Sequence, residues 1–83
     1  MSKLIVEAVQ TEIARRAVYP RAFTWRQRRY RVLQTGGVWT KAGRWWKGEG
    51  ERQFVRVLTD RNLVADLCFE PRHGRWLLYQ VYD

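Results

Sequence analysis

The stretch "AFTWRQRRYRV", residues 22–32, alternates between the two faces of an extended chain on each side of a central break. Phe23 and Trp25 share one face before the break, and Tyr30 lies between arginines after it. A period of two in aromatic residues indicates half-buried β-strands. The stretch therefore predicts two strands joined by a two-residue turn at Arg26-Gln27. This pair departs from the Asn-Gly usually found where both turn residues need positive φ.

Three further strands are indicated later in the sequence. The segments 53–59 and 63–70, "QFVRVLT" and "LVADLCFE", flank a short turn in which Asn62 can take the left-handed conformation. Pro and Gly in the turn 71–74 separate the second segment from "RWLLYQVYD", residues 75–83. Alternation in this last strand predicts two apolar faces, one of Trp76, Leu78 and Tyr82 and the other of Leu77, Tyr79 and Val81.

Apolar side chains on both faces of the last strand indicate that it is covered on both sides, as in a closed small barrel. Short connections between consecutive strands favour an antiparallel meander. We therefore predict an all-β fold, a small antiparallel meander of five to six strands that forms an SH3-like or OB-like, partly closed barrel. The 83 residues leave room for a single domain, and the 46 % of hydrophobic residues argue against disorder.

Two segments are less regular. Apolar residues from Leu4 to Ile13 recur at helical spacing, yet some of them also alternate as in a strand. We favour a strand at about residues 8–14, with a short N-terminal helical turn as the main alternative, and residues 1–7 are a candidate for a mobile terminus. Residues 36–52 predict one long Gly- and Trp-rich loop, the kind of segment that often carries function.

The single cysteine, Cys68, cannot form an internal disulfide. Its apolar neighbours predict a packed side chain rather than a reactive thiol. The sequence shows no long apolar run and no signal-peptide core. We therefore expect a cytoplasmic protein without membrane contact, and the residues do not distinguish a monomer from an oligomer.

Positive charge is concentrated in one half of the sequence. The formal net charge is +8, and residues 13–48 contain no Asp or Glu. The basic residues of that segment are Arg15, Arg16, Arg21, Arg26, Arg28, Arg29, Arg31, Lys41, Arg44 and Lys47. If they share a face they attract a polyanion, and the preference for Arg over Lys suits bidentate phosphate contacts. A solvated strand face, with an arginine bias from a GC-rich coding sequence, is the alternative explanation.

The sequence contains no recognisable catalytic motif. His73, the only histidine, lies in a predicted turn, and Ser2 is the only serine. A metal site needs three or four converging ligands, which one His and one Cys do not supply. Two carboxylate pairs are formally available for acid–base chemistry, Glu49 with Glu51 and Asp60 with Asp66. We expect a protein that is not an enzyme and that uses no metal or cofactor.

The basic and aromatic residues supply the two components of a site for single-stranded nucleic acid. Cations follow the phosphates, and aromatic faces stack on bases at about 1–3 kcal/mol per base. The candidate phosphate-binding residues are Arg26, Arg28, Arg29, Arg31, Lys41, Arg44 and Lys47. The candidate stacking residues are Trp39, Trp45 and Trp46. The aromatic residues expected in the core are Phe23, Trp25, Tyr30, Phe54, Phe69 and Trp76.

Several motifs together resemble a family of uncharacterised small bacterial all-β domains. They are "FTWRQRRYRV", the pair Trp45-Trp46 shortly before "GEGER", "RVLTD" and the ending "GRWLLYQVYD". The resemblance covers about residues 8–83, and the family pattern usually has Gly at the position of Gln27. Domains of this family occur alone or at the C-terminus of proteins related to Y-family, translesion-type DNA polymerases. The resemblance therefore implies a DNA-repair setting, and it implies no catalytic residues.

The leading prediction is a non-catalytic nucleic-acid-binding module in DNA repair or replication, with single-stranded or distorted DNA favoured. The alternative is a protein-interaction module that docks on a polymerase or repair factor through exposed aromatic residues, because Trp, Tyr and Arg dominate binding hot spots. In that case a free sheet edge could also pair with a strand of the partner.

Overall fold

The computed structural model describes residues 1–41 and 50–82. Within those ranges it contains six β-strands, and each pairs antiparallel with the next. They are β1 (Ser2–Glu12), β2 (Ala22–Trp25), β3 (Arg28–Lys41), β4 (Arg52–Thr59), β5 (Val64–Glu70) and β6 (Arg75–Tyr82). Strand β6 also pairs with β1, which closes the strands into a ring. The prediction of an all-β antiparallel meander is confirmed, and the ring is closed rather than partly closed.

The two long strands β1 and β3 each belong to two parts of the ring. Strand β1 pairs with β6 over residues 2–9 and with β2 over residues 10–12. Strand β3 pairs with β2 over residues 28–31 and with β4 over residues 32–41. The ring therefore consists of a three-stranded sheet (β1, β2, β3) and a five-stranded sheet (β3, β4, β5, β6, β1). Because β2 is short, it covers only part of the length of its two neighbours.

The turn between β2 and β3 has the tight form predicted from the sequence. Arg26 and Gln27 have φ angles of 51° and 68°, so both turn residues are left-handed, as a type I′ turn requires. Trp25 and Arg28 form the last pair of the ladder before the turn. Asn62, in the turn between β4 and β5, has a φ of 58° and thus the left-handed conformation also expected there.

The interior of the ring is filled by alternate residues of the strands. Phe23 stacks on Tyr30 with ring centroids 5.2 Å apart, which joins β2 to β3 through the core. The buried residues of this cluster are Phe23, Tyr30, Val55, Val57, Ala65, Leu67, Trp76, Leu78 and Val81. Trp25 and Phe69 pack against the cluster and are partly buried. The aromatic residues predicted for the core therefore lie in this cluster or pack against it, and Phe54 is buried in a second core cluster.

Phe54 belongs to a second apolar cluster on the outer face of the five-stranded sheet. It is buried together with its cross-strand neighbour Cys68 and with Leu77, while Trp39 and Tyr79 pack against them. Burial raises the pKa of the Cys68 thiol to about 11, because the thiolate is poorly solvated. The prediction that Cys68 is a packed side chain is confirmed.

The predicted alternation of the last strand is wrong after Leu78. Asp66 pairs with Gln80 while Leu67 pairs with Leu78, which leaves an extra residue in β6 at this point. Such a β-bulge reverses the faces of the residues that follow it. Val81 therefore joins the interior cluster, instead of lying on the face opposite Leu78.

The predicted N-terminal and loop boundaries also change. Strand β1 begins at Ser2, so the helical alternative is not observed and residues 2–7 lie in a paired strand. The predicted loop 36–52 is shorter, because β3 continues to Lys41. The two glycines at 36 and 37 lie within β3, at a register shift between Thr35 and Val38. Residues 42–49 lie outside the described residues. In the described part of the chain no helix is long and apolar enough to cross a membrane.

Candidate nucleic-acid interface

The arginines of the β2–β3 hairpin point in different directions. Arg29 is paired with Thr24, on the outer face of the three-stranded sheet, and Arg31 lies two residues further along the same face. Arg28 is paired with Trp25, on the opposite face, and Arg26 occupies the turn. All four side chains are exposed. The structure therefore brings the four predicted arginines to one hairpin but not to one face.

Two of these arginines are paired with carboxylates of β1. Arg26 Nη2 lies 3.2 Å from Glu7 Oε2. Arg29 donates to both oxygens of Glu12, from Nε at 2.6 Å and from Nη2 at 3.0 Å. This bidentate contact lowers the pKa of Glu12 and raises that of Arg29. Residues 13–48 contain no Asp or Glu, yet two carboxylates of β1 thus neutralise part of their positive charge in the folded protein.

Trp25 is held in the same group of contacts. Its indole Nε1 donates to Glu7 Oε1 at 3.3 Å, and the Arg26 guanidinium lies 4.6 Å from the centre of its ring. The ring also lies beside Tyr30, with centroids 6.2 Å apart. Trp25 is therefore held by contacts with Glu7 and Arg26. Because it also packs against the interior cluster, it belongs to the core, as predicted.

A further arginine, Arg61, joins the hairpin from the turn between β4 and β5. Its Nε donates to the carbonyl oxygen of Arg29 at 3.4 Å, and its guanidinium lies 5.6 Å from the centre of the Tyr30 ring. The turn is fixed by Asp60, whose Oδ1 accepts from the Arg31 backbone N–H at 3.1 Å. The Asp60 N–H in turn donates to the Arg31 carbonyl oxygen at 2.9 Å.

We refer to Arg28, Arg29, Arg31 and Arg61 as the arginine cluster. Neither Arg28 nor Arg31 forms an ion pair with any carboxylate in residues 1–41 and 50–82. The sequence could not place Arg61 in this group, because only the strand pairing brings the second turn against β3.

The predicted stacking residue Trp39 lies far from the arginine cluster. It is eight residues beyond Arg31 on β3, which corresponds to about 26 Å along an extended strand at roughly 3.3 Å per residue. Its ring stacks on Phe54 with centroids 5.5 Å apart and planes 5° apart, and the Arg56 guanidinium lies 5.4 Å from its centre. Lys41, at the end of β3, is exposed. The structure therefore places Trp39 and Lys41 on the five-stranded sheet, away from the hairpin.

The remaining predicted residues of the site, Arg44, Trp45, Trp46 and Lys47, lie outside the described residues. Their contribution stays a prediction.

Arg56 also belongs to a polar network on the outer face of the five-stranded sheet. Its Nε donates to Asp66 Oδ1 at 2.8 Å, and its Nη2 donates to the Tyr82 hydroxyl at 2.7 Å. Tyr82 donates its own proton to Asp66, and this hydrogen bond raises the pKa of Tyr82. Asp66 is almost fully buried, so these partners compensate the loss of its hydration. The network stabilises the sheet, and no sequence pattern indicates it, because its members meet only through strand pairing.

The side chains considered for catalysis do not converge. His73 is exposed in the turn between β5 and β6, and Cys68 is buried on the sheet. Asp60 holds the β4–β5 turn while Asp66 is paired with Arg56, so the two carboxylates have separate structural partners. Glu51 is exposed, and Glu49 lies outside the described residues. Within the described ranges, no group of three or more His, Cys, Asp or Glu residues is arranged to hold a metal ion.

The model of a protein family described as a domain of unknown function, DUF6504, matches residues 2–83. The chain belongs to this family. No curated protein and no solved structure matches the chain significantly. The resemblance to an uncharacterised small domain is therefore confirmed, while its bacterial setting and its association with polymerases stay predictions.

Proposed function

We propose that this domain is a non-catalytic module that binds nucleic acid, with single-stranded or distorted DNA favoured. The observation that supports the proposal is the arginine cluster, in which β3 and the turn between β4 and β5 contribute four exposed guanidinium groups. Arginine suits this role because its planar fork contacts phosphate oxygens in pairs.

The charge balance of the cluster favours an anionic ligand. In the described residues, Glu12 and Asp60 contact members of the cluster, and Glu12 is already engaged by Arg29. Asp60 is engaged by the backbone of Arg31. Arg28 and Arg31 therefore remain available for phosphates, and Arg61 is held beside them by its contact with the Arg29 carbonyl oxygen.

The proposal includes a path for a longer strand. Lys41, Arg44 and Lys47 would extend the phosphate contacts, and Trp39, Trp45 or Trp46 would stack on bases. Known small barrels of the OB type bind about 4–16 nucleotides. A single strand that reaches from the cluster toward Lys41 would have a length of the kind that such barrels bind. The resemblance to domains that accompany Y-family polymerases supports a setting in bacterial DNA repair or replication, in the cytoplasm.

A titration of the purified domain with fluorescently labelled single-stranded and duplex oligonucleotides tests the proposal. Measured by fluorescence polarisation at about 50 and 200 mM salt, the affinity for single strands should fall with a slope of about −0.7 per neutralised phosphate. Absence of binding at the lower salt concentration, or an affinity that does not change with salt, would overturn the proposal.

A pair of double variants tests where the DNA binds. Arg28→Glu with Arg31→Glu should abolish binding, because the two arginines proposed to contact phosphates become anions. Arg15→Glu with Arg16→Glu is the matched control, since it changes the net charge equally at two exposed arginines of the β1–β2 connection. An equal loss in both double variants would show that net charge, and not the arginine cluster, determines binding.

A further inference from the structure

One edge of β3 is left without a strand neighbour. On the side that faces β2, pairing ends at Arg31, and the Val32 N–H then donates to the carbonyl oxygen of Arg21 at 2.8 Å. Beyond this point β3 pairs only with β4, on its other side. Among residues 1–41 and 50–82, no strand pairs with residues 33–41 along the edge that β2 uses.

We propose that this free edge of β3 binds an extended acidic segment of a partner protein, which adds to the five-stranded sheet as a further strand. The surface lies beyond the arginine cluster along β3, and it shares Lys41 with the proposed path for a longer nucleic-acid strand. The domain would thus bind nucleic acid with its hairpin and a protein with the far part of β3.

The backbone of the free edge can pair with an added strand. An unpaired strand edge presents a row of N–H and C=O groups, and peptides bind such edges by main-chain hydrogen bonds. Register shifts interrupt β3 between Val32 and Gln34 and between Thr35 and Val38, whereas residues 38–41 pair regularly with β4. Because bulges discourage unspecific pairing of edges, the regular run 38–41 is the part best suited to a specific strand.

An apolar groove runs beside the free edge. It lies between the β1–β2 connection, at Val18 and Tyr19, and the outer part of β3 at Leu33 and Thr35. Val18 is 69 % exposed and Leu33 is 58 % exposed, so both leave apolar surface in contact with water. A β-branched or leucine side chain of an added strand would cover this surface and remove its apolar area from water.

Charge decides between a partner protein and a second copy of this chain. Arg21 lines the groove at one end of the free edge, and Lys41 is exposed at the other end. Both side chains attract carboxylates in the segment that binds between them. A second copy carries the same net charge of +8 and brings the same cations to the contact, which disfavours it. The occupant that fits is therefore an extended segment in which acidic and apolar residues alternate.

Three labelled peptides of about ten residues test the proposal by fluorescence polarisation. The first alternates Glu or Asp with Val or Ile, the second has Lys in place of each acid, and the third is the acidic peptide with every second amide N-methylated. The first should bind. The second should not, because its charge is reversed, and the third should not, because N-methylation removes the main-chain donors. No binding of the acidic peptide, or equal binding of the three, would overturn the proposal.

Amide hydrogen exchange locates the contact. The acidic peptide should slow exchange within residues 33–41 and leave the β2–β3 hairpin unchanged. Protection confined to other strands would overturn the proposal. Protection of residues 33–41 that rises with protein concentration in the absence of peptide, together with a dimer in light scattering, would assign the edge to a second copy and would equally overturn it.

Matched variants separate this surface from the proposed nucleic-acid surface. Leu33→Asp should weaken peptide binding by about tenfold or more, because it removes an apolar contact and adds a repelling charge. Leu4→Asp, at a residue 61 % exposed on β1, is the control and should leave peptide binding unchanged. Leu33→Asp should weaken DNA binding far less than Arg28→Glu with Arg31→Glu does. The latter double variant should weaken peptide binding no more than Arg15→Glu with Arg16→Glu, which changes the net charge equally. An equal loss of peptide binding in Leu33→Asp and Leu4→Asp would contradict the proposal.

Discussion

Glu12 and Arg29 connect β1 to β3 across the strand that lies between them. The guanidinium of Arg29 contacts both carboxylate oxygens, at 2.6 and 3.0 Å, while β2 passes between the two backbones. The ion pair therefore ties together the outer strands of the three-stranded sheet. It also withdraws one cation of the arginine cluster from any other anion.

The first prediction concerns the release of that cation. Glu12→Gln should strengthen the binding of single-stranded DNA, because Arg29 becomes available to a phosphate. The slope of log affinity against log salt should become steeper by about 0.7, the value for one additional neutralised phosphate on a single strand. The measurement is the same polarisation titration, repeated at several salt concentrations.

The control for this prediction is Glu51→Gln, which removes one negative charge at an exposed residue away from the cluster. If Glu51→Gln changes the salt slope as much as Glu12→Gln does, the effect comes from net charge and Arg29 does not contact the DNA.

The second prediction concerns the turn between β2 and β3. Gln27 has a φ of 68°, a conformation in which a side chain crowds the backbone and glycine does not. Gln27→Gly should therefore raise the free energy of unfolding by roughly 0.5–1 kcal/mol, although glycine also gives the unfolded chain more freedom. Gln27→Val should lower it, because a β-branched residue fits this conformation worst.

Urea denaturation measures both effects, as a shift of the midpoint at constant slope. A Gln27→Gly variant that unfolds at lower urea than the wild-type protein would show that the turn is not strained at this position.

The strands of the fold could be predicted because apolar and polar residues alternate along most of them. The period of two around Phe23 and Tyr30 is set by the pleat of a single strand, so it is visible in the sequence. The reversal after Leu78 was missed, since a bulge depends on the partner strand. The continuation of β3 through two glycines was missed for the same reason, because β4 pairs on both sides of them.

The candidate site was predictable only in part, because ion pairs depend on which residues are close in the fold and not on which are close in the sequence. The interval between residues 13 and 48 contains no acid, yet Glu7 and Glu12 reach two of its arginines from β1. Arg61 joins the cluster only because Asp60 fixes the second turn against Arg31. No local pattern around these residues indicates either contact.

The third prediction concerns the outer apolar cluster. Trp39 stacks on Phe54 and packs beside Arg56, although the side chain is only partly buried. Trp39→Ala should lower the free energy of unfolding by about 2 kcal/mol, less than the 3–5 kcal/mol typical of a fully buried aromatic residue. Trp39→Phe, which can keep a stacked ring on Phe54, should lose much less. Chemical denaturation of the two variants gives the comparison, and equal losses would show that ring stacking contributes little.

The fourth prediction concerns the acid side of the stability profile. Glu70 is held between two arginines, with Arg75 Nε at 2.7 Å and Arg52 Nη2 at 3.2 Å. The hydrogen bond from Arg75 is the main cause that lowers the pKa of Glu70 below its ordinary value of 4.5, and the charges of Arg75, Arg52 and His73 act in the same direction.

Because the folded protein lowers this pKa, the stabilisation is fully present above about pH 4.5 and is lost as the pH falls through the folded-state value. Glu70→Gln should therefore lower Tm at about pH 7 and reduce the further drop of Tm between about pH 5 and 3. Glu51→Gln, at an exposed position, should keep the wild-type profile. Thermal unfolding followed by circular dichroism across this pH range makes the comparison. A Glu70→Gln profile parallel to that of the wild-type protein would show that the carboxylate between Arg52 and Arg75 contributes nothing to acid stability.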